Sequence, residues 1–299
     1  MKIVIMTLTY NRPENLKVLF GTLQKQTNKD FAWIIVDDGS PQDLFPFVSE
    51  MTKEADFHID YYRKENGGKA SATNFGLDHL DENDFVTIID DDEQLYPDAI
   101  ETIRFYAEKY VNTEVGIINF LRNDTLGNPI ANPRFGHDYI MTIEERRRRN
   151  YFSDGYVAYY VKSIGNCRFP VINGEKYMGP SVLAMLVAEN CSTLWSYKAI
   201  GSTEYLEDGI TKSGRVLRLK SPRGMAIYSI LLQSRQCGIK NKIKYAASYY
   251  AYIDYANIDE KEFHDGWNIP LYFPIITKLM GKIISNYWKL KYGDMLKQK

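Results

Sequence analysis

Four consecutive acidic residues, 90–93, follow directly on an apolar and β-branched run at residues 85–89. Such a run is typical of a strand buried on both faces of a parallel sheet, and ligands bind at the carboxyl ends of these strands. If the backbone stays extended, Asp90 and Asp92 share one face while Asp91 points the other way. Clustered carboxylates that leave room for water and phosphate suit Mg²⁺ or Mn²⁺. The alternative is a solvated acidic turn that caps the helix expected to follow.

The elements that must position these acids alternate along the first part of the chain. Apolar runs at residues 2–7 and 32–36 predict strands, and residues 13–23 between them show helical spacing. The alternation continues to about Leu121 and predicts an α/β fold, with a Rossmann-like, mostly parallel sheet flanked by helices. Beyond Pro222 the pattern is helical and predicts a C-terminal extension.

The turn after the first predicted strand, residues 7–12, lacks the G-x-G-x-x-G pattern of a dinucleotide fold. It offers an aromatic ring, hydroxyls and the Arg12 guanidinium instead. Tyr10 could stack on a base and Thr7 could hydrogen-bond it, while Asp37 or Asp38 could accept a proton from base or ribose. The alternative is a tyrosine packed under the loop and an Asp-Gly turn that closes the second strand.

Two glycines and Lys69 precede a predicted helix at about residues 70–80. Glycine lets the backbone bend tightly, and the free N–H groups of a helix start favour phosphate. Lys69 would add a full positive charge. The alternative is an exposed lysine at a flexible turn.

Four motifs in register resemble the family 2 glycosyltransferases. They are Thr7-x-Thr9-Tyr10-Asn11-Arg12, Val36-Asp37-Asp38-Gly39-Ser40, Asn66-x-Gly68-x-x-x-Ala72-x-Asn74-x-Gly76-Leu77 and Asp90-x-Asp92-Glu93-x-Leu95-x-Pro97. The resemblance covers residues 1–125. It implies a GT-A fold, a nucleoside-diphosphate sugar donor, a divalent metal (Mg²⁺ or Mn²⁺) and inversion at the anomeric carbon.

Carried over residue by residue, the resemblance places Tyr10 against the base and Asp38 at its edge. Asp90 or Asp91 would contact the ribose or metal-bound water, and Asp92 would bind the metal. Thr7, Arg12 and Lys69 complete the expected donor site. Many family members have a small residue where this chain has Asp91, which leaves open which acid does which task.

A later segment, residues 168–177, resembles the stretch where such enzymes carry the acid that deprotonates the acceptor hydroxyl. Glu175 is the expected catalytic base. The usual Glu-Asp pair reads Glu-Lys here, so either Glu175 or an acid elsewhere could be the base, and Glu175 could instead pair with a lysine. Residues 205–211, with Arg215 and Arg218, resemble a segment near the donor, and either arginine could reach the pyrophosphate.

Composition limits the partners. The chain has 299 residues with 37 basic and 38 acidic side chains, so no global field attracts nucleic acid. Three cysteines without metal spacing predict free thiols, and the short apolar start does not resemble a secretion signal, which together predict a cytoplasmic protein. Residues 1–125 are expected to bind the nucleotide sugar, 126–221 the acceptor, and 222–299 to form the helical extension.

The segment from Pro274 carries apolar residues at helical spacing together with several lysines. It could lie at the inner face of a membrane and bring the enzyme to a lipid-linked acceptor, or it could pack on the protein body. Its apolar runs are too short for a helix that spans a bilayer.

The sequence therefore predicts a metal-dependent inverting hexosyltransferase that uses a nucleoside-diphosphate sugar, UDP-linked, in polysaccharide biosynthesis. Its acceptor would be a glycan or a lipid-linked glycan. A non-catalytic nucleotide-sugar or glycan binder is the alternative, because Lys176 stands where an acid is usual. A nucleotidyltransferase would need a glycine-rich basic turn after the first strand.

Overall fold

A computed structural model describes residues 1–131, 136–149, 151, 154–203, 210–235, 238–260 and 271–297. Its strands are β1 (Ile3–Thr9), β2 (Ala32–Asp37), β3 (His58–Arg63), β4 (Phe85–Ile88), β5 (Glu93–Leu95), β6 (Val115–Asn123), β7 (Tyr139–Met141), β8 (Gly155–Tyr160) and β9 (Ser192–Thr203). Its helices are α1 (Pro13–Leu23), α2 (Phe45–Glu54), α3 (Lys69–Leu77), α4 (Ala99–Tyr110), α5 (Ile143–Arg149), α6 (Val161–Ile164), α7 (Val182–Val187), α8 (Ile210–Leu219), α9 (Pro222–Arg235), α10 (Ile239–Tyr255) and α11 (Pro274–Lys297).

The described strands form one mixed sheet in the order β3-β2-β1-β4-β8-β6-β9-β5, with β7 also paired to β9. Strands β3, β2, β1 and β4 are parallel, which confirms the predicted arrangement for the first part of the chain. Strand β8 runs antiparallel to both of its neighbours, while β6 and β9 are parallel. Strand β5, which the sequence pattern did not indicate, pairs antiparallel with β9.

Burial explains why the parallel strands form. Every residue of β1 and β2 is buried, as expected for strands covered by helices on both faces. Helix α1 turns an apolar stripe that includes Leu16 and Leu19 toward the core. Phe20 of that helix stacks at 6.2 Å on Trp33, which is fully buried in β2. The carboxyl ends of β1 and β2 thus rest on a packed core.

The described chain divides into two compact units. The first holds the sheet and comprises the described parts of 1–143, 152–168 and 186–205. The second comprises the described parts of 144–151, 169–185 and 206–299. Residues 126–221, expected from the sequence to form one acceptor-binding part, are divided between the two units.

The second unit contains the predicted C-terminal helices, and its core is rich in aromatic residues. Tyr249 and Tyr252 of α10 are fully buried, and Trp288 of α11 packs at 4.8 Å from the Tyr252 ring. Among the residues the structure describes, no helix combines the length and apolarity needed to cross a bilayer.

Helix α11 packs closely on α10 at Gly281. A Cβ atom at this position would lie 2.5 Å from the Tyr250 Cβ and 2.8 Å from the Ala251 amide nitrogen. Backbone atoms cannot move aside as a flexible side chain can, so the two helices would have to separate.

Gly281→Ala is therefore expected to lower the free energy of unfolding by about 1–3 kcal/mol, the usual cost of overpacking. Helix propensity alone predicts the opposite sign, because alanine is favoured over glycine by up to about 1 kcal/mol. Gly293→Ala on the same helix is the matched control, since nothing lies within 4 Å of its Cβ position. Urea unfolding of both variants measures the difference. Equal stabilisation by both substitutions would contradict the close packing of α11 on α10.

Candidate functional site

The four sequence motifs of the first unit meet at one edge of its sheet because β1, β2 and β4 are parallel neighbours. Thr9 pairs with Asp37 across the β1–β2 ladder. The ladder continues past the strand ends, where the Asp38 amide donates to the Thr9 carbonyl at 2.9 Å. On the other side of β1 the Ile89 amide donates to the Met6 carbonyl at 3.0 Å. The loops after these three strands therefore start side by side.

The loop after β1 presents Tyr10 at the surface, where 47% of the residue is exposed. Asn11 has a left-handed backbone with φ of 56°, a conformation that asparagine tolerates better than most residues. Its amide donates to the Ser40 Oγ at 2.8 Å, which ties the first loop to the second. The ring predicted to stack on a base is thus accessible on an anchored loop.

Asp38 in the second loop is buried and holds the neighbouring loop in place. Its Oδ1 accepts from the Gly67 amide and from the Lys64 Nζ, each at 3.0 Å. Its Oδ2 accepts from the Gly68 amide at 2.7 Å. Gly39 beside it has φ of 75°, and a Cβ there would lie 2.6 Å from the Asn66 amide nitrogen. The carboxylate holds the loop that leads into α3, and its Oδ2, with one donor, keeps a second lone pair for a base edge.

Asp38→Ala is expected to lower the free energy of unfolding of the ligand-free protein by about 2–4 kcal/mol, because it leaves two amides and a mostly buried lysine without their acceptor. Asp56→Ala is the control, since Asp56 is exposed and its ion pair with Lys29 is worth about 0–1 kcal/mol. Urea unfolding without ligand measures both. Unchanged stability together with lost donor affinity would assign Asp38 to the ligand instead.

Lys69 is the first residue of α3 and reaches the acidic turn after β4. Gly68 before it has φ of 86°, a conformation that favours glycine. The Lys69 Nζ contacts the Asp90 Oδ1 at 2.5 Å, and both side chains remain partly exposed. Desolvation acts to raise the pKa of Asp90, but the charges of Lys69, Arg122 and Arg12, with the hydrogen bond from Lys69, together hold the pKa below its ordinary value.

The acids after β4 lie in a turn, which corrects the expectation of an extended run. The Glu93 amide donates to the Asp90 carbonyl at 3.2 Å, so the alternation of side chains is lost. Asp91 and Asp92 consequently both approach the Arg12 Nη1, at 3.1 and 3.5 Å. Asp90 and Asp92 do not share one strand face, because the strand has already ended at Ile88.

Asp91 differs from its neighbours because it is buried. Its Oδ2 accepts from the Thr9 Oγ1 at 2.8 Å, and its Oδ1 faces Arg12. Burial raises the pKa of Asp91, while the hydrogen bond from Thr9 and the charge of Arg12 oppose the rise. Asp91 therefore fixes the turn, and the more exposed Asp90 and Asp92 are the acids that a ligand can reach.

A buried ion pair between Glu93 and Arg122 supports the acidic turn, and the sequence did not predict it. Glu93 pairs with Arg122 at the end of β6, and Arg122 also contacts Asp154 at 2.6 Å. The Glu93 Oε2 accepts from the Asp90 amide at 3.0 Å. Burial raises the pKa of Glu93, and the Arg122 charge counters that rise. The only sequence signal was an acid in a motif together with a lone arginine in an apolar strand.

Thr7 does not reach the surface, which corrects its expected contact with a base. The residue is fully buried in β1, and its Oγ1 accepts from the Trp33 Nε1 at 3.0 Å. The hydroxyl satisfies a buried indole N–H, which would otherwise lose its hydrogen bond. Thr7 is therefore a core residue beneath the site.

The donor set of the turn fits a hard divalent cation whose coordination a substrate completes. Mg²⁺ is commonly bound by one or two carboxylates, with phosphate and water filling the other positions. Asp92 and Asp90 offer partly exposed carboxylate oxygens. Across the described part of the chain no group of three or more His, Cys, Asp or Glu residues surrounds a possible ion position. The protein alone thus supplies part of a coordination shell.

Glu175, in the second unit, lies at the start of α9. Its Oε1 accepts from the Arg223 amide at 2.9 Å and its Oε2 from the Gly224 amide at 2.8 Å. These amides have no partner within the helix, and the start of a helix attracts negative charge. The side chain is half-buried, and each oxygen keeps a second lone pair for a further proton. The catalytic role of Glu175 stays a prediction, and its carboxylate is held by backbone rather than by the lysine expected as the alternative.

Arg215 is anchored within the second unit. Its Nη1 donates to the Tyr252 hydroxyl at 3.1 Å, and its guanidinium lies 4.8 Å from the centre of the Trp288 ring. Arg218 is exposed. Residues 205–209, expected from the resemblance to lie near the donor, are outside the described residues.

Comparison with known proteins matches the sequence to the Glycosyl transferase family 2 model over residues 4–163, more than half of the chain. The chain therefore belongs to glycosyl transferase family 2. It is 32% identical over 129 residues to the teichoic acid poly(glycerol phosphate) polymerase of Staphylococcus epidermidis, covering 43% of this chain and 17% of the polymerase. It is 33% identical over 104 residues to the GalNAc(5)-diNAcBac-PP-undecaprenol β-1,3-glucosyltransferase of Campylobacter jejuni, covering 34% of this chain and 33% of that enzyme. The chain thus matches a third or less of the length of each of these two relatives.

Solved structures confirm the expected fold. The chain superposes on residues 1–349 of S. aureus TarS in complex with UDP-GlcNAc with a TM-score of 0.66 and 15% identity, covering 97% of this chain and 92% of that one. The mannosyltransferase PcManGT of Pyrobaculum calidifontis, in complex with GDP-Man and Mn²⁺, gives a TM-score of 0.56 and 15% identity, with 97% and 87% coverage. The fold is GT-A with added C-terminal helices.

Proposed function

We propose that this protein transfers a hexose, with inversion, from a UDP-linked sugar to a glycan or lipid-linked glycan acceptor in polysaccharide biosynthesis. The observation that carries the proposal is the edge of the first unit's sheet. There an exposed aromatic ring and a guanidinium on the loop after β1, an ammonium at the start of α3 and a partly exposed acidic turn after β4 occur together. A nucleoside diphosphate presents a flat base, a ribose and two phosphates, and these groups match that set of side chains.

Each residue has a proposed task in donor binding. Tyr10 stacks on the base, which its exposure permits. Arg12 and Lys69, which neutralise the acidic turn in the free protein, exchange part of these contacts for the diphosphate. Asp90 contacts the ribose or metal-bound water, and Asp92 binds Mg²⁺ or Mn²⁺. The metal, when bound, offsets the negative charge that develops on the leaving diphosphate. The Mn²⁺ complex of PcManGT supports this assignment.

Glu175 is the proposed base. An inverting transfer needs a carboxylate that removes the proton of the acceptor hydroxyl on the face opposite the leaving phosphate. Two backbone amides orient Glu175 and leave lone pairs to accept that proton. Asp208, outside the described residues, is the next candidate.

The proposed location is the cytoplasm. Free thiols at Cys167 and Cys191 support it, because thiols stay reduced there.

A non-catalytic nucleotide-sugar binder is the second candidate. The contacts of Glu175 favour it, because a carboxylate that caps the start of α9 has a structural role and need not be catalytic. The two candidates differ in turnover alone, since both bind the donor.

A thermal-shift panel of UDP-, GDP- and dTDP-sugars, each with and without Mn²⁺, tests the donor proposal. A ligand at a hundred times its dissociation constant stabilises the folded state by about 2.7 kcal/mol, so a melting shift is expected for UDP-sugars with Mn²⁺. A larger shift with a different nucleotide would correct the donor. The absence of any metal-dependent shift would contradict the proposal.

A further inference from the structure

Helix α11 has two different faces, and within the part of the chain that the structure describes one of them is buried and the other exposed. Thr277, Gly281, Ser285 and Trp288 are buried and recur at helical spacing. Gly281 marks the close approach to α10. One side of the helix, made largely of small and polar residues, is therefore the side that packs on the protein.

The other side of α11 carries large apolar residues that face outward. This apolar stripe consists of Ile276, Leu279, Met280, Ile283, Tyr287 and Leu290, all of them exposed and Leu290 by 86%. At about 100° per residue the six positions fall within one narrow sector of the helix, away from the packed side. Ile284 and Trp288, which are also apolar, lie on the inner side instead and pack in the core of the second unit.

The start of the helix adds a further exposed aromatic residue. Phe273, which directly precedes α11, is 49% exposed. Its backbone has φ of 51°, an unusual value for a bulky residue. Exposed single apolar residues are ordinary on a protein surface, whereas a contiguous apolar patch marks a site of interaction.

Positive charge accompanies the stripe. Lys278, Lys282 and Lys289 follow one border of the stripe, and Lys291 lies on the other; all four are exposed. Lys278 contacts Glu260 and Lys289 contacts Asp254, so part of this charge is balanced locally. The wider asymmetry remains, because residues 222–299 contain 12 basic and 6 acidic residues, while residues 1–221 contain 25 and 32. The excess of positive charge belongs to the part of the chain that carries the apolar stripe.

We propose that α11 docks the protein on the surface of an anionic lipid bilayer. The apolar stripe enters the boundary between headgroups and acyl chains, the flanking lysines contact the headgroups, and the opposite face stays on α10. Helices with this division of faces lie in the plane of the interface without spanning the bilayer. A second copy of the chain fits less well, because a symmetric pairing of two stripes would bring the lysine rows of both copies together. The two alternatives from the sequence, packing on the body and membrane contact, thus apply to different faces of one helix.

Vesicle sedimentation tests the proposal and needs no sugar donor, so its outcome is independent of the proposed transfer reaction. The full chain is mixed with vesicles of phosphatidylcholine and phosphatidylglycerol in equal parts, or of phosphatidylcholine alone. Binding is expected to the anionic vesicles, with loss as salt is raised. The triple variant Ile276→Gln, Leu279→Gln, Ile283→Gln is expected to reduce the bound fraction at least about tenfold. These side chains are exposed, so the substitutions leave the packing of α11 intact.

The matched control is the triple variant Val18→Gln, Phe105→Gln, Val111→Gln, which removes three exposed apolar side chains from the first unit. It should bind as the parent does. Circular dichroism and the melting temperature check that both variants are folded. Equal binding by the stripe variant, or no binding of the parent to anionic vesicles, would overturn the proposal. Sedimentation of the parent as a dimer that the stripe variant converts to a monomer would also overturn it and assign the stripe to a second copy.

Discussion

Glu175→Gln is expected to reduce sugar transfer by about 10²- to 10⁴-fold per folded molecule while donor affinity stays unchanged. Glutamine keeps the size of the side chain and one acceptor oxygen, but it cannot take a proton from the acceptor hydroxyl. The substitution also weakens the contact with the Gly224 or Arg223 amide, which costs about 0.5–2 kcal/mol of stability, as loss of a helix cap does. Turnover must therefore be normalised to folded protein.

Ser221→Ala is the matched control for this substitution. It removes the hydroxyl that accepts from the Tyr177 amide at 3.1 Å beside the same helix start, and it leaves the Glu175 carboxylate in place. If Glu175 acts as the base, this variant keeps most of its turnover at a somewhat lower melting temperature. Near-normal turnover in Glu175→Gln would remove Glu175 from the chemistry and direct attention to Asp208.

Asp92→Asn is expected to weaken metal-dependent donor binding by at least about a hundredfold. Loss of residues that only support metal ligands already costs 10- to 100-fold, and Asp92 would be a ligand itself. The fold should persist, because the side chain is partly exposed and its substitution opens no cavity. Calorimetry of UDP binding with and without Mn²⁺ measures the effect.

Asp56→Asn is the control for a general loss of negative charge, since Asp56 is exposed and pairs with Lys29 away from the acidic turn. It should bind UDP and Mn²⁺ as the parent does. Parent and Asp92→Asn should also show the same residual UDP affinity in EDTA. An unchanged affinity for UDP with Mn²⁺ in Asp92→Asn would exclude Asp92 from the metal site.

The strand ends were predictable because burial on two faces leaves a continuous apolar run, and a polar motif follows where each run stops. The resemblance of these motifs to those of the family 2 glycosyltransferases implied the GT-A fold. Side-chain directions at the site were not predictable, because they depend on partners distant in sequence. The acids after β4 form a turn rather than an extended run, and the buried Glu93–Arg122 pair lies beneath that turn. Thr7 points inward, where its hydroxyl accepts from Trp33.

In the second unit, too, the side-chain contacts were not predictable from the sequence. Nothing near Glu175 in the sequence indicates that it caps a helix starting 47 residues later. In α11 the apolar periodicity predicted a helix but not its orientation, since apolar residues occur on both faces. Gly281 lies on the face that packs, where its lack of a side chain lets the backbone of α10 come close. The sequence alone does not tell whether a glycine in a helix marks a close contact with another helix or an exposed position.

The central claim is metal-dependent transfer from a nucleotide sugar, and the most direct measurement is the release of UDP from UDP-sugars by the purified full chain. The proposed function predicts release that requires Mn²⁺ or Mg²⁺, stops with EDTA, resumes with excess metal, and is lost in both Asp92→Asn and Glu175→Gln. Binding of UDP-sugars without any release, in the presence of metal and a range of glycan acceptors, would contradict it and leave the non-catalytic binder. Release that persists in EDTA and in Asp92→Asn would contradict the role of the metal.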